Sequence, residues 1–302
     1  MPRPDQPPPQ EFFDERRPAA GSQRIALQLD PLVLEIEGLD RELALRLFER
    51  YSPYASRDAP ASGALRVRFA REETDYFIDP RPGSMERVQL RIACDGDRVR
   101  YLSYQVAGWF DVSAGRGDLL LARGGFEPPL RSIENYVRVA VAWVAAARGG
   151  ALVHAAGAVW KGKGYLFYGE SGAGKSTLSA CNRRAQVVSD DLSLVLPGDD
   201  GRLELIGSPF RGTYEEGPAV RGRFPLAAGF RLIKGPAAQV RPVDHAQALA
   251  ELVGNLPFVA EAFGSRPDLF ERTLRVFSAL PLAHLHFAKD DSYWDAIESA
   301  GY

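Results

Sequence analysis

The stretch GESGAGKST, residues 169–177, is the part of the sequence that most constrains the fold. It fits the pattern G-x-x-x-x-G-K-[ST], whose glycines let consecutive main-chain N–H groups turn inward around an oxyanion. The apolar run at residues 165–168 reads as a strand, and TLSACNRR at residues 177–184 reads as a short helix. A phosphate-binding loop between a strand and a helix is therefore predicted.

The polar residues of this loop have distinct expected roles. Lys175 supplies a full positive charge toward the β- and γ-phosphates of a nucleotide, and the hydroxyl of Ser176 is placed to coordinate Mg²⁺. The helix that begins near Lys175 adds the positive end of its dipole. The sequence thus predicts binding of ATP and Mg²⁺, with nucleotide contacts from Gly169, Glu170, Ser171, Gly172, Ala173, Gly174, Lys175, Ser176 and Thr177.

A pair of acidic residues follows the predicted helix. The segment QVVSDD forms a short apolar strand that ends in Asp190 and Asp191. A helix of about nine residues advances roughly 13 Å, so a returning strand can bring these carboxylates back beside the phosphates. One carboxylate would then hold Mg²⁺ and the other would accept the proton of an attacking hydroxyl. The sequence does not say which does which, and a solvated turn is the alternative interpretation.

His154 lies upstream, in LVHAAGAVW, within a strand predicted over residues 151–160. A lone histidine among apolar residues is commonly a satisfied core residue. This strand, however, immediately precedes the one that enters the loop, which would place His154 near the phosphates. There it would orient a catalytic aspartate or tune the pKa of that aspartate.

His154, GESGAGKS and SDD together resemble the catalytic core of the HPr kinase/phosphorylases, which share their nucleotide fold with phosphoenolpyruvate carboxykinase. The resemblance spans residues 151–196 and includes the very short spacing between loop and acids. It implies an α/β fold with a P-loop kinase core.

The same resemblance implies roles for individual residues. Lys175 and Ser176 would serve phosphate and metal, so the expected metal ligands are Ser176 with the two aspartates. Asp190 or Asp191 would be catalytic, and His154 would support that aspartate.

The chain also departs from that family. In place of its later Glu-Arg-Gly signature, residues 205–217 read LIGSPFRGTYEEG. Arg211 is a candidate for clamping the transferred phosphate. Glu215 or Glu216 would assist the metal, or both would lie on a solvated loop.

The segments GSPF and FPLAAGFRLIKG look closer to HPr-kinase-related proteins found beside peptide-modification genes. This resemblance implies an ATP-dependent serine kinase that acts on a peptide, a small protein or a small molecule. A bifunctional HPr kinase/phosphorylase is one alternative. A non-catalytic ATP-binding interaction module is another.

Composition and patterning suggest the organisation of the chain. Residues 1–20 read as a disordered proline-rich tail and residues 21–130 as a smaller strand-rich α+β domain, with Asp40 capping a helix at residues 41–51. The ATP-binding catalytic domain is predicted over residues 131–302, opening with a helix that ends at Gly149-Gly150. Strand and helix patterns alternate in this second part, which favours an α/β core.

The overall charge is nearly balanced, with 37 basic and 39 acidic residues. No nucleic-acid or membrane partner is therefore predicted. The first ten residues lack the apolar stretch of a secretory signal, and the two cysteines are far apart, so we expect a cytoplasmic protein. Homo-oligomerisation stays open. Two histidines at residues 284 and 286 share one face of a predicted strand, without an evident third metal ligand.

Overall fold

The computed structural model describes residues 8–58, 64–74, 76–78, 90–123, 129–212 and 218–302. The chain divides into two compact units, Met1–Val144 and Ala145–Tyr302. This division falls inside the helix that was predicted to open the second domain. Both units mix helices with a large sheet, so the prediction of a mixed α/β fold is confirmed at the level of fold class. No helix of the described residues is long and apolar enough to cross a membrane.

The described part of the first unit contains one eight-stranded sheet, in the order β3-β1-β2-β4-β8-β7-β6-β5. Its strands are β1 Gln23–Leu29, β2 Leu32–Leu39, β3 Ala55–Ser56, β4 Leu65–Glu72, β5 Arg91–Asp95, β6 Arg98–Ser103, β7 Val106–Asp111 and β8 Arg116–Ala122. Its helices are α1 Gln10–Asp14, α2 Arg41–Tyr51 and α3 Pro129–Ala147, the last of which crosses the division.

Local sequence explains several of these elements. Alternation in β4 buries Leu65 and Val67 while Arg66 faces the other way, which is the period of a half-buried strand. The predicted cap of α2 is confirmed, because Oδ1 of Asp40 accepts a hydrogen bond from the N–H of Leu43 at 2.8 Å.

The sequence pattern predicts single strands over residues 76–78, 88–92 and 99–106 of this unit, and two of these predictions were wrong in part. The single strand expected over residues 99–106 is a hairpin of β6 and β7, which reverses at Gln105 with a φ of 53°. Neither glycine nor proline marks that turn. The strand expected at residues 76–78 contributes only an isolated bridge between Ile78 and Tyr104. Of the strand expected over residues 88–92, the first two residues lie outside the described residues.

The second unit is built on a nine-stranded sheet. Its strands are β9 Ala151–Val153, β10 Ala155–Trp160, β11 Lys163–Tyr168, β12 Gln186–Ser189, β13 Ser193–Pro197, β14 Leu203–Ile206, β15 Arg223–Lys234, β16 Gln239–Arg241 and β17 Leu282–Phe287. Its helices are α4 Lys175–Cys181, α5 His245–Val253, α6 Pro267–Phe277 and α7 Tyr293–Ser299, with a short 3-10 helix at Ala260–Ala262. Strand β15 pairs in parallel with β11 on one side and with β17 on the other, and the other pairs of this sheet are antiparallel.

Strand β11, which enters the phosphate loop, is buried on both faces. Tyr165 and Phe167 belong to one apolar cluster, and Leu166 and Tyr168 belong to another. A strand covered on both sides needs a continuous apolar run rather than an alternating one, which is what the sequence contains. Trp294 of α7 is fully buried in the first of these clusters.

The strand predicted over residues 151–160 is interrupted at His154. The main-chain N–H of His154 donates to the carbonyl oxygen of Asn255 at 2.8 Å instead of to a strand neighbour. β9 pairs with β13, whereas β10 pairs with β11 and β12. His154 therefore lies at a junction between two groups of strands and not within one strand.

Candidate functional site

The loop between β11 and α4 depends on three glycines with positive φ: 150° at Gly169, 82° at Gly172 and 112° at Gly174. A Cβ atom on Gly174 would lie 2.5 Å from Cζ of Phe287. Gly174 therefore serves both the turn and the close approach of α4 to β17. The loop is tightened further by a hydrogen bond from the N–H of Ala173 to the carbonyl oxygen of Glu170 at 3.0 Å.

Lys175, the first residue of α4, folds back over the loop. Its Nζ donates to the carbonyl oxygens of Gly169 at 2.8 Å and Glu170 at 3.4 Å. The residue is only 8% exposed, and burial lowers its pKa while the nearby charge of Asp191 acts in the opposite direction. A buried ammonium group held by neutral carbonyls keeps its positive charge available to an anion in the loop.

Asp190 links the loop to the strand that follows α4. Its Oδ2 accepts a hydrogen bond from Oγ of Ser176 at 3.1 Å, and its Oδ1 accepts one from the N–H of Gly212 at 2.7 Å. Asp190 is 2% exposed, whereas Ser176 lies on the exposed side of α4. The structure thus brings together Ser176 and one of the two carboxylates that the sequence proposed as metal ligands.

Asp191 lies beside His154, with 3.4 Å between Oδ1 of the aspartate and Nε2 of the imidazole. Burial lowers the pKa of His154, and the charge of Lys175 lowers it further, against the opposing effect of Asp191. The imidazole is consequently neutral near pH 7. A neutral imidazole can donate its N–H to the carboxylate without neutralising it.

Ser189 shapes the turn that carries both aspartates, and sequence reasoning missed it. Its fully buried Oγ donates to the carbonyl oxygen of Phe210 at 2.5 Å. The Oγ atom of Ser189 also accepts hydrogen bonds from the N–H groups of Asp191 at 3.1 Å and Leu192 at 3.0 Å. A serine directly before two acids at the end of a strand is typical of such a side-chain-bonded turn, so the signal was present.

Arg211 makes main-chain contacts in the structure. Its Nη2 donates to the carbonyl oxygens of Pro218 at 2.5 Å and Val187 at 3.4 Å, which ties the segment after Phe210 to β12. Its role as a phosphate clamp stays a prediction. The residues Glu215 and Glu216 lie outside the described residues.

A cavity of about 420 Å³ adjoins the loop. One side is formed by His154 with Gly169, Glu170 and Ser171 of the loop. The other side is formed by Arg231 of β15 and by residues at and after the end of α5, among them Glu251. His284, one of the two same-face histidines, contacts Glu251 behind this wall, with 2.8 Å between Nε2 and Oε2.

These groups fit a nucleotide and a hard cation. The part of the chain that the structure describes gathers no cluster of three or more His, Cys, Asp or Glu side chains for a metal. Mg²⁺ does not need one, because it binds through one or two carboxylates and completes its shell with water and substrate phosphates. The buried Asp190 next to the exposed hydroxyl of Ser176 is a donor set of that kind.

Comparison with known proteins gives one family. No curated protein matches this chain. The family described as SynChlorMet cassette protein ScmC matches residues 131–300, which is more than half of the 302 residues and includes the loop, both aspartates and the cavity. The chain is therefore a member of the SynChlorMet cassette protein ScmC family.

Proposed function

We propose that this protein is an ATP- and Mg²⁺-dependent kinase that transfers the γ-phosphoryl group to a hydroxyl, with a serine of a peptide or small protein as the acceptor. The observation that carries the proposal is the 3.1 Å contact between Ser176 and Asp190 at the phosphate loop. It joins an anion-binding loop to a carboxylate suited to Mg²⁺, which is the combination that phosphoryl transfer requires.

Phosphate binding would depend on the loop amides and Lys175. The ammonium group already lies over the carbonyls of Gly169 and Glu170, so small side-chain movements are enough to bring it to the terminal phosphates. Because the group is buried, its attraction for phosphate is screened less than that of an exposed lysine. It would stabilise charge that builds up on the transferred group.

The contacts of the two aspartates favour a division of work between them. Asp190 faces Ser176 and would hold Mg²⁺ together with it, and the bound ion would neutralise charge on the β- and γ-phosphate oxygens. Asp191 faces His154 and would accept the proton of the acceptor hydroxyl. The neutral imidazole would keep the carboxylate oriented and ionised.

Transfer of labelled γ-phosphate to a serine-containing peptide tests the proposal. We expect Asp191→Asn to reduce the transfer rate about 10²–10⁴-fold with ATP affinity retained, the usual contribution of a general base. Asp190→Asn should instead raise the Mg²⁺ concentration needed for half-maximal rate. Asp200→Asn is the matched control, since Asp200 is exposed and caps a surface turn through the N–H of Arg202.

The other outcomes point to the alternatives. Tight ATP binding without transfer to any acceptor would favour a nucleotide-binding interaction module. Phosphate-dependent release from a phosphoserine protein would favour the bifunctional enzyme. Absence of ATP binding would refute all three.

A further inference from the structure

We propose that the cavity beside the phosphate loop is the acceptor site, and that Arg231 binds a carboxylate of the acceptor there. The inference rests on the proposed kinase function and names the class of its substrate: a hydroxyl compound with a carboxylate nearby. At about 420 Å³ the cavity holds a small molecule or one end of a peptide rather than the surface of a folded protein.

The position of Lys175 indicates which end of the nucleotide the cavity adjoins. Its Nζ lies over the carbonyls of Gly169 and Glu170, and these two residues also line the cavity. A phosphate-loop lysine reaches the β- and γ-phosphates, so the cavity borders the terminal phosphate and not the nucleoside.

His154 connects the same cavity to the proposed base. It lines the cavity and contacts Asp191 at 3.4 Å. An acceptor hydroxyl at this edge would lie between the terminal phosphate and the Asp191 carboxylate. The acceptor oxygen then forms a bond to the γ-phosphorus, the bond to the β-bridging oxygen breaks, the hydroxyl proton goes to Asp191, and ADP leaves.

Arg231 is held in place by Glu251, whose oxygens are already engaged. Nη1 of Arg231 donates to Oε1 of Glu251 at 2.6 Å, and Gln247 donates to the same oxygen at 3.0 Å. His284 occupies Oε2 at 2.8 Å. Burial tends to raise the pKa of Glu251, but the hydrogen bonds from Gln247 and His284 and the charge of Arg231 outweigh it and lower that pKa. Glu251 therefore stays ionised and fixes Arg231 without being available to a ligand.

The remaining donors of Arg231 are suited to a carboxylate. Among the described residues, its Nε and Nη2 have no hydrogen-bond partner, and the side chain is 34% exposed where it lines the cavity. These two N–H groups lie on one edge of the guanidinium and point in the same direction. Such an edge binds a carboxylate through two parallel hydrogen bonds.

The test compares acid and amide acceptors with wild-type protein and two arginine variants. The probes are L-serine and the tripeptide Gly-Gly-Ser, each as the free acid and as the amide, so that a free hydroxy acid and a peptide terminus are distinguished. Arg223→Gln is the matched control, because Arg223 lies on the same strand and makes a 2.6 Å pair with Glu204 away from the cavity. Circular dichroism confirms that each variant is folded, and a fluorescent ATP analogue measures nucleotide affinity.

We expect wild-type protein to phosphorylate at least one acid far better than its amide. Arg231→Gln should raise the KM for that acid about 10–100-fold, as the loss of a bidentate charge-assisted contact implies, and should leave nucleotide affinity unchanged. With the amide, wild type and Arg231→Gln should behave alike. Arg223→Gln should match wild type throughout.

Three results would overturn the inference while leaving the kinase proposal intact. One is equal turnover of acid and amide by the wild type. Another is failure of every acid probe alongside transfer to a different hydroxyl compound. The last is weaker nucleotide binding by Arg231→Gln with an unchanged acceptor KM, which would assign the cavity to the nucleoside. If the wild-type protein binds no ATP, both the kinase proposal and this inference fail.

Discussion

Ser189 uses the full hydrogen-bonding capacity of its hydroxyl, one donor and two acceptor positions. It donates one hydrogen bond to the carbonyl of Phe210 and accepts two from the main-chain N–H groups of Asp191 and Leu192. The orientation of Asp190 and Asp191 depends on this turn. Ser189, whose buried hydroxyl is fully engaged by main-chain groups, is therefore a positioning residue for the candidate site.

Ser189→Ala should lower the free energy of unfolding by about 1–3 kcal/mol, because it removes three hydrogen bonds and leaves the N–H of Leu192 and the carbonyl of Phe210 with only their 3.4 Å bond to each other. Urea denaturation measures the change. Ser292→Ala is the control, since Ser292 is half-buried and its hydroxyl donates only to the exposed carboxylate of Asp290, a loss that should cost less than about 0.5 kcal/mol. Equal losses for the two variants would contradict the role given to Ser189.

His154 gives the stability a predictable pH dependence. Burial and the charge of Lys175 hold its pKa below the ordinary value of 6.5. As pH falls below about 6.5, the unfolded chain takes up a proton that the folded protein resists, which favours unfolding. The stability that the protein gains from a neutral His154 is thus complete above about pH 6.5 and is lost as the pH falls toward the pKa of His154 in the folded protein.

We therefore expect the free energy of unfolding of the wild type to fall more steeply between about pH 7.5 and pH 5.5 than that of His154→Gln. Denaturant titrations at several pH values measure both curves. The pKa of His286 is also lowered by burial, but both proteins contain that residue, so the difference isolates His154. Parallel curves would mean that the surroundings of His154 do not resist its protonation.

The glycines of the phosphate loop are not equivalent. A Cβ at position 174 would meet the ring of Phe287 at 2.5 Å, whereas a Cβ at position 172 has no atom within 4 Å. Both have positive φ, so both substitutions carry backbone strain of about 1–2 kcal/mol. Only the first adds a steric conflict between α4 and β17.

Gly174→Ala should therefore destabilise the protein more than Gly172→Ala, by about 1–3 kcal/mol of overpacking. Thermal and urea unfolding of the two variants give this difference. Adding Phe287→Leu to Gly174→Ala should recover part of the loss if the conflict with the ring is its cause. No recovery would point to the backbone conformation alone.

Helices marked by a cap or an apolar period within their own sequence could be predicted. Strands defined by pairing with residues far along the chain could not. The sequence pattern of residues 267–277 predicts a helix, and α6 has these bounds. Helix α2 needed only its aspartate cap and periodic apolar face. No strand was predicted for β15, which contains Pro225 and Gly229 and is defined by its pairing with β14, β11 and β17 along its 12 residues. The interruption at His154 has the same origin, since its N–H bonds to Asn255, about a hundred residues away.

The candidate site shows the same contrast. The loop, the two aspartates and His154 form motifs whose spacing is short enough to interpret from sequence. Arg231 and Glu251 lie on different elements, and neither has a neighbouring motif that marks it. Only the packing of α5 against β15 and β17 brings them to the loop.

The molecule as a whole consists of two units, each with its own sheet, and all the candidate site residues lie in Ala145–Tyr302. A ligand that binds only the folded state stabilises it by about 2.7 kcal/mol at a hundredfold excess over Kd. With Mg²⁺-ATP we expect hydrogen–deuterium exchange to slow most in residues 145–302. Lys175→Ala should abolish this slowing. Equal slowing throughout residues 8–58 and 90–123 would contradict a nucleotide site confined to the second unit.

The hydrogen bond from the N–H of Gly212 to Asp190 couples cation binding at Asp190 to the position of the chain at residue 212. One oxygen of this carboxylate faces Ser176, and the other anchors the chain just after Arg211. If the bond to Gly212 orients Asp190 and so strengthens cation binding, a bound cation must strengthen the bond to Gly212 by the same free energy, because such coupling is reciprocal. The amide proton of Gly212 is thus a built-in reporter, and its exchange rate would read out ion occupancy without any added label.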